Sequence, residues 1–146
     1  MSKRLEALKA AYEEWGTSGK HPRMDKLVDL MADDFTVGSV YDQSPGMIFA
    51  KEKSIAYLTS IFGEWEMISF EPEVYVEQDL RIAMFGVCSW RYKNGNAVKC
   101  RIATLWTFDK HDKAVSMIDI FDSAKAMVAA STAVADAELK AALATV

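Results

Sequence analysis

A single carboxylate interrupts an apolar segment near the end of the chain. Asp119 lies within residues 114–121, where apolar residues predict a buried strand. Burial disfavours the charged form of a carboxyl group and raises its pKa toward the range of a general acid or base. We therefore take Asp119 as the strongest candidate for chemistry. The alternative is a structural carboxylate that bonds a hydroxyl such as Tyr12 or Thr104, or one that lies on the outer sheet face.

Other reactive residue types do not assemble into a recognisable set. His21 and His111 lie in polar segments away from acidic clusters, which gives no support for metal binding or a nucleophilic triad. Two cysteines are too few for a disulfide scaffold and do not suit a zinc site. The chain contains no glycine-rich phosphate loop. We expect no metal and no cofactor.

The direction in which Asp119 points depends on a hairpin. Asn94-Gly95 separates two β-prone runs and predicts a two-residue type I′ turn, which pairs Ser89 with Cys100. A four-residue loop over 109–112 then places Ile102 beside Asp119. One predicted face carries Phe85, Val87, Ser89, Cys100, Ile102, Thr104, Trp106, Val115, Met117, Asp119 and Phe121. The other carries Met84, Cys88, Trp90, Tyr92, Lys99, Arg101, Leu105 and Ile118. Cys88 and Cys100 would point to opposite faces, which argues against a disulfide.

Helices are predicted before this sheet. Apolar residues recur at spacings of three and four over 3–15, 24–31 and 51–62, as in amphipathic helices. Asp33 and Asp34 are expected to end the second helix, with a strand after them. A turn is expected at 44–46.

The remaining segments complete the predicted order. Residues 66–77 read as a strand in which Pro72 indicates an edge position or a bulge. Ser123 caps a helix over 124–130, and the Ala-rich residues 131–146 form a further helix or a tail. Helices grouped apart from a meander of strands predict an α+β fold, and 146 residues suit a single domain over 1–146.

The composition of the chain argues against some classes of binding partner. A net charge of −4 argues against nucleic acid and anionic membranes. No apolar run approaches the roughly 20 residues of a membrane span, and residues 1–8 lack a signal-peptide core. We expect a cytoplasmic protein without a nucleic-acid or membrane partner.

Three motifs carry a family resemblance. They are residues 30–37 after the second helix, 107–113 before the last strand, and 118–123 leading into a helix. Their order resembles nuclear transport factor 2 (NTF2), ketosteroid isomerase and the SnoaL-like polyketide cyclases over about residues 3–130. The resemblance implies a cone in which a curved antiparallel sheet wraps around the N-terminal helices. It also implies a pocket on the concave face and a homodimer through the convex face.

Functional positions of these relatives fall on particular residues. Tyr12 stands where ketosteroid isomerase has a catalytic tyrosine, whereas Ser39 and Thr104 stand where it has its two carboxyl groups. The limonene-epoxide hydrolases use an aspartate at the place of Asp119. Their Arg-x-Asp partner pair would fall on Phe85 and Val87. The resemblance implies that Asp119 lies in the pocket, without naming a reaction.

The sequence predicts an enzyme of SnoaL-like type that acts on a small hydrophobic molecule as an isomerase, dehydratase or cyclase. Asp119 would be the general base or acid and Tyr12 a hydrogen-bond donor. The predicted ligand-binding residues are Trp15, Ser39, Tyr41, Phe62, Phe85, Val87, Ser89, Ile102, Thr104, Trp106, Met117 and Phe121. The alternative is a non-catalytic ligand-binding or dimerisation module. In either case we expect a homodimer through the outer face, with Met84, Trp90, Tyr92, Leu105, Lys99 and Arg101 at the interface. The alternative for this surface is that the Ala-rich C-terminal tail covers it.

Overall fold

Five helices and one six-stranded sheet make up the part of the chain that the structure describes. This computed structural model describes residues 1–17, 23–39, 47–48, 50–63, 65–131 and 136–146, with the backbone alone at 39, 47, 48, 61, 62 and 123. The helices are α1 (Lys3–Thr17), α2 (Asp25–Leu30), α3 (Lys51–Gly63), α4 (Ser123–Ser131) and α5 (Ala137–Leu143). The strands are β1 (Met31–Ser39), β2 (Met47–Ile48), β3 (Trp65–Gln78), β4 (Arg81–Tyr92), β5 (Ala97–Phe108) and β6 (Ala114–Phe121). The predicted α+β cone is confirmed.

The N-terminal helices follow their apolar patterns. α1 buries Leu8, Ala11 and Tyr12 on one face. α2 ends one residue earlier than predicted, because Met31 already pairs with Ala114 of β6. Asp33 and Asp34 are consequently exposed residues of β1 and do not end the helix. The turn predicted at 44–46 lies outside the described residues.

The sheet has the order β2-β1-β6-β5-β4-β3. It is not wholly antiparallel as expected, since β1 and β6 run parallel. β3 is an edge strand whose pairing with β4 is irregular between Met67 and Ser69 and between Pro72 and Val74. The reading of Pro72 as an edge or bulge residue is confirmed.

The turn between β4 and β5 differs from the predicted type I′ turn. Gly95 N–H donates to the Tyr92 carbonyl oxygen at 2.9 Å, and Tyr92 N–H donates to the Asn96 carbonyl oxygen at 2.9 Å. Gly95 has a φ of +89°, whereas Asn94 is not among the residues with positive φ. This is a three-residue loop in which a type I turn is followed by a left-handed glycine at a bulge. The predicted register was therefore wrong by one residue, and Cys88 pairs with Cys100.

The two asparagines of this hairpin also hold α4. Asn94 Nδ2 donates to the Ala129 carbonyl oxygen at 2.8 Å, and Asn96 Nδ2 donates to the same oxygen at 2.9 Å. Carbonyl groups in the last turn of a helix lack partners within the helix, so these bonds anchor its end. The C-terminal segment left open as helix or tail contains α5, which Asp136 caps by accepting from Leu139 N–H at 2.8 Å.

The β5–β6 connection shifts the second register by two residues. Phe108 pairs with Ala114 instead of Lys113, and a further irregularity follows between Thr107 and Phe108. Thr104 therefore pairs with Asp119, where the prediction had Ile102. Because side chains alternate between faces, two one-residue shifts leave Asp119 on its predicted face of β6.

We define the inner face by residues that the pairing places on the same side as Asp119. They are Ile82, Met84, Gly86, Cys88, Trp90 and Tyr92 of β4, Val98, Cys100, Ile102, Thr104 and Trp106 of β5, and Met117, Asp119 and Phe121 of β6. α1 packs against this face, since Tyr12 contacts Thr104 and Trp106. The outer face carries Ala83, Phe85, Val87, Ser89, Lys99, Arg101, Ala103, Leu105, Ile118 and Ile120.

Gly86 allows β3 to approach β4 closely beside Pro72. A Cβ at Gly86 would lie 2.5 Å from the Glu71 carbonyl oxygen and 3.0 Å from the Pro72 Cα. We expect Gly86→Ala to lower the free energy of unfolding by about 1–3 kcal/mol, because backbone atoms must move to admit the methyl group. Urea denaturation measures the change. Gly63→Ala is the control, since a Cβ there meets nothing within 4 Å; equal effects at both positions would contradict the account.

Candidate active site

Asp119 lies in the middle of the inner face. Its β6 backbone pairs with Ser39 of β1 on one side and with Thr104 of β5 on the other. Continuing the row across the sheet leads to Met84 and then Tyr75. Among the described residues, nothing forms a hydrogen bond to the buried Oδ1 of Asp119. The carboxyl group therefore has an unused acceptor position.

Burial changes the acidity of this group. It raises the pKa of Asp119 from 3.8 to about 7, because the charged form loses its hydration. The residue as a whole is nevertheless half-buried rather than fully enclosed. A carboxyl group at such a boundary is available in both protonation states near neutral pH. It is therefore suited to giving and taking a proton.

A polar cluster lies next to Asp119. The Tyr12 hydroxyl oxygen and Thr104 Oγ1 are 2.7 Å apart, and Trp106 Nε1 donates to the Tyr12 hydroxyl at 2.8 Å. Trp106 Nε1 also lies 3.2 Å from Thr104 Oγ1. Burial raises the pKa of Tyr12, and the charge of Asp119 adds to the shift. The phenol stays neutral, and its hydrogen bonds fix Trp106 and Thr104 in place.

Aromatic rings pack around Tyr12. Its ring stacks on Phe70 at 4.9 Å and on Trp15 at 6.0 Å between centroids, and it meets Trp106 edge to face at 6.1 Å. Trp15 and Phe70 also contact each other at 4.9 Å. Trp106 and Tyr12 are fully buried, whereas Trp15 is half-buried. The cluster packs α1 against the inner face of the sheet.

The predicted ligand-binding residues divide by face. Trp15 from α1 lies with the inner-face residues Ile102, Thr104, Trp106, Met117 and Phe121. Phe85, Val87 and Ser89 lie on the outer face, contrary to their predicted direction, because the Gly95 bulge shifts β4 by one residue. Ser39 pairs with Asp119 through its backbone, and Phe62 falls within α3. The structure does not describe the side chains of these two residues, and Tyr41 lies outside the described residues.

Sequence reasoning missed several inner-face residues. Phe70, Met84, Cys88 and Trp90 are buried there. A signal for β4 was present, because Arg81 and Arg91 share the odd-numbered face with Phe85 and mark that face as the solvent side. Phe70 gave no comparable signal, since the irregularities in β3 disturb the alternation.

The cysteines lie together on the inner face. Cys88 and Cys100 are direct pairing partners and are both free thiols, so the prediction that they point to opposite faces was wrong. Cys88 Sγ lies 3.8 Å from Met67 Sδ, whereas Cys100 Sγ lies 4.0 Å from the Asp122 carbonyl oxygen. Burial raises the pKa of Cys88 to about 12 and that of Cys100 above its usual value. Neither thiol is activated as a nucleophile.

The described part of the chain holds neither a metal-binding cluster nor a membrane-spanning helix. No group of three or more His, Cys, Asp or Glu side chains there is arranged to hold a metal ion. None of the helices within those residues combines the length and the apolar character needed to cross a membrane.

The similarity to known proteins is structural. No family model and no curated protein matches the sequence. An NTF2-like protein of unknown function from Burkholderia pseudomallei superposes with a TM-score of 0.78 and 22% identity, over 90% of this chain and all of that one. A putative SnoaL-like polyketide cyclase from Jannaschia sp. gives 0.73 and 17%, over 90% and 93%. A hypothetical protein with a ketosteroid isomerase-like fold from Catenulispora acidiphila, in complex with trimethylamine, gives 0.67 and 15%, over 91% and 95%. The chain therefore has the NTF2-like fold that SnoaL-like and ketosteroid isomerase-like proteins share.

Proposed function

We propose that the protein is a cofactor-independent enzyme that transfers a proton on a small hydrophobic molecule bound between α1 and the inner face. One observation carries the proposal: the buried Oδ1 of Asp119 has no hydrogen-bond partner among the described residues. Burying such a group without a partner costs free energy, so it seldom persists without a purpose. A bound molecule that meets Oδ1 removes this cost.

The proposed chemistry uses both forms of one carboxyl group. Ionised Asp119 takes a proton from a carbon next to a carbonyl group, and the carboxylic acid returns it to the same or another atom. Isomerisation, dehydration and aldol cyclisation all contain such a step. The structural neighbour described as a putative SnoaL-like polyketide cyclase is consistent with this class.

Tyr12 acts by positioning in this proposal. Its hydroxyl is already bonded to Thr104 and Trp106, so it holds the neighbours of Asp119 instead of reaching the ligand. The apolar wall is formed by half-buried residues that share the inner face or stack on Tyr12, namely Trp15, Ile102 and Phe121. Trp106 and Met117 share this face but are buried.

Deuterium incorporation from heavy water tests the proposal without a known substrate. We expect the protein to exchange the α-protons of some members of a panel of apolar cyclic ketones. The exchange rate should rise with pH and level off above about pH 7, because the basic form of Asp119 accumulates there. A panel that shows no exchange above the buffer rate would reject the proposed chemistry.

A second candidate function is ligand binding without chemistry. This candidate is favoured by the row of paired residues that contains Asp119. The described side chains of that row include no second carboxyl or imidazole group. The two candidates differ in one outcome. Both predict a ligand on the inner face, but the binding module leaves every bound ketone unexchanged.

We also propose a homodimer through the outer face. Two neighbouring rows of paired residues across β3, β4, β5 and β6 are wholly apolar: Val74–Phe85–Ala103–Ile120 and Val76–Ala83–Leu105–Ile118. Exposed fractions are 50% for Val74, 46% for Phe85, 42% for Ile120, 53% for Val76 and 38% for Leu105. A patch continuous over four strands is typical of an interface. A second copy fits because a twofold axis lets such a patch cover itself.

The composition of the proposed interface differs from the predicted one. Met84, Trp90 and Tyr92 lie on the inner face because of the shifted register, so they are not part of the proposed interface. Leu105, Lys99 and Arg101 remain on the outer face, and Phe85 joins them. Arg101 also forms an exposed ion pair with Glu73 at 3.3 Å, at the margin of the apolar rows.

Replacing Leu105 by lysine should separate the subunits. A charge at the centre of the apolar rows would be desolvated without a partner, which should raise the dimer dissociation constant by about 100-fold or more. Sedimentation velocity across a concentration series measures this. Leu80→Lys is a matched control, because Leu80 is also 38% exposed but lies in the β3–β4 turn. A wild-type monomer, or equal dissociation in both variants, would contradict the proposal.

A further inference from the structure

The described residues around Asp119 supply no positive charge to pair with its carboxylate. The inner-face residues of β4 and β5 in its neighbourhood are Met84, Gly86, Cys88, Ile102 and Thr104, none of which is cationic. Two lysines on the surrounding helices are engaged elsewhere. Lys9 of α1 lies over the Tyr75 ring, 5.1 Å from its centroid, and Lys51 of α3 donates to the Met31 carbonyl oxygen at 3.3 Å. Within the described residues, ionised Asp119 has no salt-bridge partner.

Aromatic rings are the other constituent of the site. The rings of Tyr12, Trp15 and Phe70 lie in contact beside the row that contains Asp119. Tyr12 and Phe70 are buried with their ring faces stacked on each other, so these rings provide an apolar surrounding without any cationic group. A carboxylate in such a surrounding disfavours an anionic ligand and favours a positively charged one.

We infer that the ligand carries a basic nitrogen on an apolar body, and that this nitrogen pairs with Asp119. The inference rests on the proposed function in placing the ligand against Asp119, but it does not depend on turnover. A neutral amine that enters takes the proton of the carboxylic acid. The O–H bond of Asp119 breaks, an N–H bond forms, and an ammonium–carboxylate pair results without net charge. The ligand thus supplies the counter-ion that the chain does not place there.

The affinity for a permanent cation should depend on pH differently from the affinity for an uncharged molecule. A quaternary ammonium has no proton to exchange, so Asp119 must release its own proton to solvent before the pair forms. Since the pKa of Asp119 is about 7, affinity should rise about tenfold from pH 6 to pH 8. Titratable groups that sense its charge are Tyr12 of α1 and Cys88 of β4, and both remain neutral in this range because burial raises the pKa of each.

Two probes of equal shape test the inference. Benzyltrimethylammonium and its uncharged carbon isostere neopentylbenzene are titrated into the protein by calorimetry at pH 6 and pH 8. We expect the cation to bind about tenfold more tightly than the isostere near pH 8, and this preference to shrink near pH 6. Equal or stronger binding of the isostere, or failure of both probes to bind, would overturn the inference.

The role of Asp119 is isolated with variants. Asp119→Asn should bind the two probes about equally at both pH values, because the charge is gone and the shape is kept. Asp122→Asn, which removes an exposed carboxylate three residues away, should keep the preference of the wild type. A preference that survives in Asp119→Asn would also contradict the inference. The proposed function fails in a separate experiment, since deuterium exchange does not depend on which probe binds.

Discussion

Replacing Asp119 by asparagine should reduce ketone deuterium exchange by about 10²–10⁴-fold, the usual contribution of a general acid or base. Asparagine keeps the shape of the carboxyl group but can neither take nor return a proton. The backbone of Asp119 pairs with Thr104, and its side chain lies on the inner face. Because asparagine is nearly isosteric, the substitution changes the proton chemistry more than the packing. Exchange is followed by proton NMR under conditions where the wild type is fastest.

Two control variants separate proton transfer from positioning. Tyr12→Phe removes a hydroxyl that bonds Thr104 and Trp106, and we expect it to slow exchange by about tenfold or less through loosened packing. Asp122→Asn should match the wild type. Undiminished exchange in Asp119→Asn would remove Asp119 from the chemistry, whereas a larger loss in Tyr12→Phe would make Tyr12 the proton donor.

The same substitution should stabilise the protein at alkaline pH. The folded-state pKa of Asp119 is raised from 3.8 to about 7, so the folded state binds the proton more tightly than the unfolded chain does. Asp119 therefore does not reduce the free energy of unfolding below about pH 4, and the free energy of unfolding falls as the pH rises toward 7. The cost of ionising the buried carboxyl group amounts to at most about 4 kcal/mol at pH 8, of which about 3 kcal/mol appears above pH 5.

Urea denaturation at two pH values measures this cost. Asp119→Asn does not titrate, so its free energy of unfolding should exceed that of the wild type by about 3 kcal/mol more at pH 8 than at pH 5. The exposed Asp122→Asn variant should follow the wild type at both values. A pH-independent difference between Asp119→Asn and the wild type would mean that Asp119 titrates as it does in water.

The elements of this fold could be predicted because their signals are local. The spacing of Leu5, Leu8, Tyr12 and Trp15 defines α1, and Pro72 correctly indicated an edge strand with a bulge. The parallel pairing of β1 with β6 could not be predicted in the same way, because it joins residues about 80 positions apart. Similarly, the bonds from Asn94 and Asn96 to α4 depend on tertiary packing.

Strand faces were the part of the site that sequence reasoning predicted least well. Asn-Gly is compatible with two turn types, and the left-handed conformation of Gly95 without that of Asn94 selects the three-residue loop. One extra residue reversed Phe85, Val87 and Ser89. Asp119 lies on its predicted face because the β5–β6 connection shifts the register by two residues, which does not change the face. The burial of Asp119 was predicted from its place in an apolar strand, whereas the bonds of the Tyr12 hydroxyl to Thr104 and Trp106 could be seen only in three dimensions.

The titration of the Asp119 side chain tests the central claim most directly. Carbon-13 NMR of the side-chain carboxyl group, assigned by its absence in Asp119→Asn, follows its protonation in the ligand-free wild type. We expect a midpoint near pH 7, because the buried Oδ1 has no partner among the described residues to stabilise its charge. A midpoint near 4 would contradict it, since the carboxyl group would then be hydrated or paired and would have no need of a ligand.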